Sequence, residues 1–316
     1  MYKKDSIKHS VLVLTYNNEA TIKIAIDSIL DQNYTSLEVV IGNDCSTDQT
    51  GDLLNEYISN YPGIIKLVNN KVNMGIFRNF NNLKNMVTGD VISVLAGDDY
   101  FKPGLFSSLN KNIERNNLKP CRDSFIIVYN TIHLTPTNKE KVFSNYRIRS
   151  NNMFKERLRY GLSFREVGIS ARLWREIEPI RTDLGYLADW LMGFDLVAKC
   201  KKFVFVNEAY SVYRLNSGII SKTKNEVLQE SWRKVLPVVE KKYDSRLDRM
   251  DKLYLKYLKY KVEASLNKTY TVHLLYYYFL ILNVLLKNYS KNNLIIKELV
   301  NSFPVIKKYY KKFVRN

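Results

Sequence analysis

Three features of the 316-residue chain predict an α/β fold with a mostly parallel central sheet and helices on both faces. Short apolar runs rich in β-branched residues recur at 10–15, 37–42, 64–68 and 91–95, the composition of buried strands. Amphipathic stretches stand between these runs. Strand–helix–strand order repeats three times in succession, the pattern of a parallel sheet whose strands are joined by crossover helices.

The first strand, SVLVLT, leads into residues 21–30, where Ile22, Ala25, Ile26 and Ile29 fall at helical spacing. The second strand, LEVVIG, is followed by Ser46 and Gln49 in the S-x-x-Q spacing of a capping box, and then by Leu53, Leu54, Tyr57 and Ile58 on one helical stripe. A third helix is predicted over 76–87, between IIKLV and VISVL. No internal repeat of fixed period is present, and the one compositional bias is a Lys/Tyr enrichment at the C-terminal end.

Composition narrows the class. With 46% hydrophobic and 25% charged residues the chain is neither disordered nor collagen-like. Lys and Arg number 49 against 31 Asp and Glu, a net charge of +18 that predicts an anionic partner. Cys45, Cys121 and Cys200 lie far apart without a CxxC pair, which argues against a disulfide scaffold or a thiolate zinc site and fits a reducing compartment. His9, His133 and His273 form no HExxH or paired spacing. At the N-terminus, lysines precede only the four apolar residues 11–14, short of the roughly 7–15 of an export signal. The expected address is cytoplasmic.

In parallel sheets of this kind ligands bind outside the carboxyl ends of the strands. The first strand end delivers Thr15, Tyr16 and Glu19, the second Asp44, and the strand at 91–95 the pair Asp98-Asp99. A carboxylate at the second strand end can accept hydrogen bonds from a base or ribose. Paired carboxylates can hold a divalent cation that bridges phosphate oxygens. Taken singly, Asp44 is as well suited to capping the next helix, and Asp98-Asp99 to a turn. Their joint placement on consecutive strand ends favours a ligand rim. No GxGxxG follows the first strand and no GxxxxGK[ST] occurs, so a nucleotide bound here has no glycine loop for its phosphates.

The segments SVLVLTYNNEATIKIAIDSIL, EVVIGNDCSTDQT, NMGIFRNFNNL and GDVISVLAGDDYFKPG, followed by LADWLMGFDLV and YRLNSGIIS, resemble family 2 glycosyltransferases of the GT-A fold over roughly residues 10–221. The resemblance implies transfer of a sugar from a nucleotide-diphosphate donor, with inversion at the anomeric carbon. By residue it implies that Thr15, Tyr16 and Glu19 line the base and ribose and that Asp44 binds the base. Asn73, Gly75, Arg78 and Asn79 would help hold the donor, and Arg214 would neutralise its diphosphate. Asp98 matches the metal-binding Asp of the D-x-D motif, with Asp99 beside it, for Mn²⁺ or Mg²⁺. Asp189 matches the catalytic base, although a carboxylate there also suits the first turn of a helix. Gly168-Ile169-Ser170 matches an acceptor-side segment. Ala96 stands in place of the first Asp of D-x-D, Ala188 in place of the Glu before the base, and Asn216 where a histidine is frequent. The QxxRW box of processive synthases is absent, so addition of one sugar per encounter is expected. The acceptor implied is a glycan or a polyprenyl-linked sugar of capsule, O-antigen or cell-wall assembly.

The expected organisation is a catalytic domain over 1–225 and a helical region over 226–316. From residue 251 onward, 13 Lys and Arg stand against 3 Asp and Glu, together with ten of the 23 tyrosines. Residues 270–286 carry no formal charge but fall short of the about 20 apolar residues of a spanning helix. Three uses remain open for this tail: a membrane span, packing on the core or on a second subunit as a homo-oligomer contact, and lying on an anionic membrane surface at the inner face of the cell membrane. A basic, tyrosine-rich chain also fits a single-strand nucleic-acid binder. Here no recognition motif supports that, and the basic residues avoid the strand-end rim, so no nucleic acid is expected. A catalytically silent scaffold of the same fold is the other alternative.

Overall fold

The computed structural model describes residues 7–143, 153–160 and 164–267. The chain divides into two compact units, Met1–Lys224 and Asn225–Asn316. The first unit opens with β1 (His9–Thr15), α1 (Ile22–Leu30), β2 (Leu37–Asn43), α2 (Thr50–Asn60), β3 (Ile65–Asn69), α3 (Ile76–Leu83) and β4 (Val91–Ala96). It continues through β5 (Tyr100–Phe101), α4 (Leu105–Arg115), β6 (Phe125–Leu134), β7 (Glu140–Phe143), α5 (Met153–Tyr160), β8 (Val167–Ser170), α6 (Ala171–Glu176), α7 (Ala188–Lys199), β9 (Lys202–Arg214) and α8 (Ile219–Lys222).

One mixed sheet carries these strands in the order β3-β2-β1-β4-β8-β6-β9-β5, with β7 paired to β6. The four strands β3, β2, β1 and β4 are parallel. β8 is antiparallel to both β4 and β6, and β9 returns parallel to β6. The register sets Thr15 opposite Asn43 and Leu14 opposite Ala96, so the carboxyl ends of β1, β2 and β4 are level. Val11, Val13, Val39, Ile41, Val91 and Leu95 join Ile22, Ile26 and Ile29 of α1 and Phe106 and Leu109 of α4 in one buried cluster. By strand alternation Leu12, Val40, Ile92 and Val94 point to the opposite face and are also buried. Helix α3 packs on β1 and β2.

Two local expectations are corrected. The Ser46/Gln49 capping box does not form: α2 begins at Thr50, and the Ser46 hydroxyl donates instead to Asn43 Oδ1 at 2.6 Å. The free amides at the start of α2 are met by one distant and one local acid, Gln49 N donating to Glu19 Oε2 at 2.9 Å and Thr50 N to Asp48 Oδ1 at 3.0 Å. Helix α3 ends at Leu83 rather than 87, and the next carbonyl, that of Lys84, accepts the Trp174 indole N–H at 2.8 Å.

The opposite rim of the parallel sheet is tied by one carboxylate. Glu38 accepts from Ser10 Oγ at 2.5 Å, Thr88 N at 2.7 Å, Thr88 Oγ1 at 2.9 Å and Lys66 Nζ at 2.8 Å. These partners stand at the starts of β1 and β3 and just before β4, so Glu38 joins the beginnings of four strands. Burial alone would raise its pKa, but the hydrogen bonds from Lys66, Ser10 and Thr88 outweigh it and hold the carboxyl down to about 2. A depressed carboxylate stabilises the fold above its unfolded pKa and loses that contribution as pH falls through the folded value. Glu38→Gln is therefore expected to cost about 2 kcal/mol at neutral pH, measured by urea unfolding. It should also flatten the loss of wild-type stability between pH 4.5 and about 2. An unchanged unfolding midpoint at both pH 7 and pH 3 would show that the network contributes nothing.

In the second unit α9 (Asn225–Lys242) and α10 (Arg249–Asn267) pack against each other. Arg233 pairs with Glu263 at 2.9 Å and Lys259 with Glu240, so the two helices run antiparallel. Val235, Leu236 and Val239 of α9 and Leu255, Tyr257 and Val262 of α10 are buried. Among the described residues no helix is long and apolar enough to cross a membrane. The expectation for residues 270–286 and the basic residues beyond lies outside the described residues.

Candidate active site

The loop after β1 builds the first wall of the rim. Asn17 takes a positive φ of 51°, its amide donates to Ser46 Oγ at 3.0 Å, and its side chain accepts from Thr47 N at 2.8 Å. Thr15 faces inward, its hydroxyl donating to Asn18 Oδ1 at 2.9 Å while its carbonyl accepts from Asp44 N. Gly97, after β4, approaches this loop so closely that a Cβ there would collide with Thr15 Oγ1. Tyr16 is left at the surface, 44% exposed. Glu19, exposed beside it, reaches across to the N-terminus of α2, its Oε2 accepting from Gln49 N, while its own amide donates to Asp48 Oδ2 at 3.1 Å.

Asp44 is only 3% exposed and caps no helix. Its Oδ1 accepts from Asn70 Nδ2 and Met74 N, both at 3.0 Å, and its Oδ2 from Gly75 N at 2.8 Å. It thereby folds the 70–75 loop over the end of β2. Gly75 closes that loop at φ 85°, a conformation a side chain would strain. Asn73 and Arg78 are exposed on the same segment. Asn79, expected to touch the donor, is 1% exposed and lies behind the loop, its Nδ2 donating to the Gly42 carbonyl at 2.8 Å and its Oδ1 accepting from Asn70. These bonds tie the loop to the end of β2. Gly42 permits this, since a Cβ there would overlap Asn79 and Leu83.

At the end of β4 the two carboxylates part company. Asp98 is half-buried, and its Oδ2 accepts from Ser217 Oγ at 2.8 Å. Asp99, expected beside it on the metal, is 4% exposed and turned back, its Oδ1 accepting from Arg214 N at 3.0 Å. Burial, then the charge of Asp98, push Asp99 up to about 7, against the pull of Arg165 and Arg214. The structure thus leaves Asp98 as the carboxylate on the open side. The turn after β9 is held to the pair from the other side: Ser217 also donates to the Arg214 carbonyl at 2.7 Å, and Asn216 adopts φ 66°. The Arg214 guanidinium lies 5.1 Å from the Tyr100 ring centre.

Asp189 stands in the first turn of α7. It is half-buried, and its surroundings raise its pKa, burial outweighing the opposing charges of Arg157 and Arg165 and the backbone donors of the helix start. Arg165, whose guanidinium lies 3.9 Å from the Tyr213 ring centre, is in electrostatic reach of both Asp99 and Asp189. The charge of Arg165 thus acts on one carboxylate of the strand end, Asp99, and on the helix carboxylate Asp189. Arg165 and Asn70 carry no motif of their own in the sequence, and their roles, like that of Ser217 within YRLNSGIIS, come from what the topology sets beside them.

Comparison with known proteins bears on the fold and the family. The model of Glycosyl transferase family 2 matches residues 10–171, about half of the chain. The chain is 26% identical over 239 residues to the glycosyltransferase GlyA of Streptococcus pneumoniae, covering 72% of this chain and 33% of that protein. It is 38% identical over 96 residues to the putative glycosyltransferase EpsE of Bacillus subtilis, covering 30% of this chain and 34% of that protein. The chain thus spans about a third of the length of these curated relatives. Among solved structures, S. aureus TarS residues 1–349 superposes with a TM-score of 0.60 at 18% identity, covering 84% of this chain and 74% of that one. The same protein in complex with UDP-GlcNAc gives a TM-score of 0.58 at 19% identity, covering 82% and 73%. The fold is that of the GT-A glycosyltransferases, and a family match spanning half the sequence makes this chain a member of glycosyl transferase family 2.

Proposed function

We propose that the protein is an inverting glycosyltransferase. It moves one sugar from a nucleotide-diphosphate donor to a hydroxyl of a glycan or polyprenyl-linked acceptor in surface-polysaccharide assembly. The observation that supports this most is that the charge of Arg165 acts both on Asp99 of the strand end and on Asp189. Displacement at an anomeric carbon needs a base on the acceptor side and positive charge on the leaving diphosphate. Asp189 takes the hydroxyl proton as the acceptor oxygen attacks, and the bond from the anomeric carbon to the diphosphate breaks. Arg165 and Arg214 face the charge that develops on the diphosphate.

Tyr16 offers an exposed ring for the base. Asp44, with three of its acceptor positions taken by the 70–75 loop, retains one for a base N–H. Among the described residues no three Asp, Glu, His or Cys side chains converge as a metal cage. One carboxylate plus substrate phosphates is nevertheless a common way to hold Mg²⁺, and Asp98 fits that part. A Mn²⁺ or Mg²⁺ ion bound there would supply further positive charge to the diphosphate. The basic C-terminal region would bring the enzyme to an anionic membrane surface carrying a lipid-linked acceptor.

A thermal-shift panel of UDP-, GDP-, CMP- and dTDP-sugars, with and without Mn²⁺, tests this reading. UDP-GlcNAc is the first probe because TarS has been solved with it. One nucleotide class at a hundredfold excess over its Kd should raise the melting temperature by about 5 °C or more. Failure of every nucleotide sugar to stabilise the chain would overturn it.

A further inference from the structure

One buried charge is not used by the reading above. Arg157, on α5, is 4% exposed, and α5 packs on α7. Its Nη2 donates to the Trp190 carbonyl at 3.0 Å, and its guanidinium carbon lies 5.9 Å from the Trp190 ring centre and 5.8 Å from that of Phe194. The two rings meet edge to face at 4.7 Å and wall the guanidinium in. The remaining side of this seat is Gly193, where a Cβ would overlap three atoms of the guanidinium at once. Arg157 Nε is buried and has no hydrogen-bond partner.

An arginine taken out of water without a contact ion pair is costly, several kcal/mol for an unpaired buried ion being typical. A fold that nevertheless shapes a glycine notch and an aromatic wall around it is departing from the rules of core packing, as functional sites do. The groups facing the guanidinium are Asp189, one residue before Trp190, and Glu166. The cations facing Asp189 are Arg157 and Arg165. Arg165 is shared with Asp99, whereas Arg157 lies on the α7 side.

We infer that Arg157 is the positioning residue of Asp189, a cation seated in the Gly193 notch that holds the neighbouring carboxylate in its charged form for proton abstraction. The inference rests on the assignment of Asp189 as the base, but the coupling between the two charges exists whether or not sugar is transferred. Burial works against both charges, raising the carboxyl and lowering the guanidinium to about 10, and each charge favours the other.

The test follows the Asp189 carboxyl directly by ¹³C NMR in the full chain labelled at Asp Cγ, the resonance being assigned by its loss in Asp189→Asn. Arg157→Met should raise the titration midpoint by about one pH unit or more. Arg157→Lys, which keeps the cation, should stay near the wild-type midpoint. Gly193→Ala, which crowds the guanidinium out of its seat, should shift the midpoint in the same direction as Arg157→Met. The acid limb of UDP-GlcNAc hydrolysis should move with these midpoints, which loss of packing alone would not produce. An unchanged midpoint in folded Arg157→Met overturns the inference. Should that variant not fold, Gly193→Ala decides in the same way, a raised midpoint sustaining the inference and an unchanged one ending it. Failure of the transferase reading would show separately, as no nucleotide sugar stabilising the wild-type chain, and failure of the base assignment as transfer persisting in Asp189→Asn.

Discussion

Asp189→Asn is expected to lower sugar transfer by about 10²–10⁴-fold, the contribution of a positioned general base, while leaving nucleotide-sugar affinity unchanged. Asparagine keeps the shape and the helix-start position of Asp189 but cannot take a proton, so packing around α7 is preserved. The measurement is the initial rate of donor turnover together with the donor-induced thermal shift. A rate within tenfold of wild type would move the base elsewhere. The same assignment fixes the sign of the pH dependence. The surroundings raise the Asp189 pKa above the ordinary carboxylate value, and only the ionised form accepts the proton. The rate should therefore fall as pH drops through that raised value, and be independent of this group above it.

Asp98→Asn is the second large effect, about 10²–10³-fold in turnover, comparable to removing one electrostatic partner of a developing charge. Its Oδ atom can still accept from Ser217, so the turn after β9 keeps its tie to β4 and the loss reports charge rather than collapse. If the carboxylate holds a divalent ion, EDTA should silence the wild type to a similar level and cost Asp98→Asn little more, since residues acting as a unit are strongly non-additive. Full wild-type turnover in EDTA, with Asp98→Asn within threefold, would reduce Asp98 to a member of the turn.

How much of this was legible in the sequence depended on distance along the chain. The strands at 10–15, 37–42, 64–68 and 91–95 and the helices between them form local apolar patterns, and each appears within a residue or so at most ends. β9 is harder to read, because it is long, exposed at intervals, and shifted in register against β6 around Val128 and Asn130. β8 has four residues and derives its strand character from β4 and β6 on either side. The S-x-x-Q spacing at Ser46 misled because Asn43 took the serine hydroxyl and Glu19, thirty residues upstream, met the Gln49 amide. The strand-end acids were visible as residue types, but not the division of labour among them. Nothing in GNDCSTD shows that Asp44 will be spent on the amides of residues 74 and 75, and nothing in GDDY shows that Asp99 will turn inward to Arg214. Arg157, Arg165 and Ser217 acquire meaning only when segments far apart in sequence are folded together.

The carboxylate of Glu38 has a broader consequence. It fastens the four parallel strands at their starting ends, at the other end of the sheet from the loops that carry Asp44 and Asp98. That tie lies on a floor, apart from the bonds of Asp44, Asp99 and Glu19 that shape the ceiling. Loops on that ceiling can be rewritten, one substrate preference exchanged for another, before the domain's integrity is put at risk.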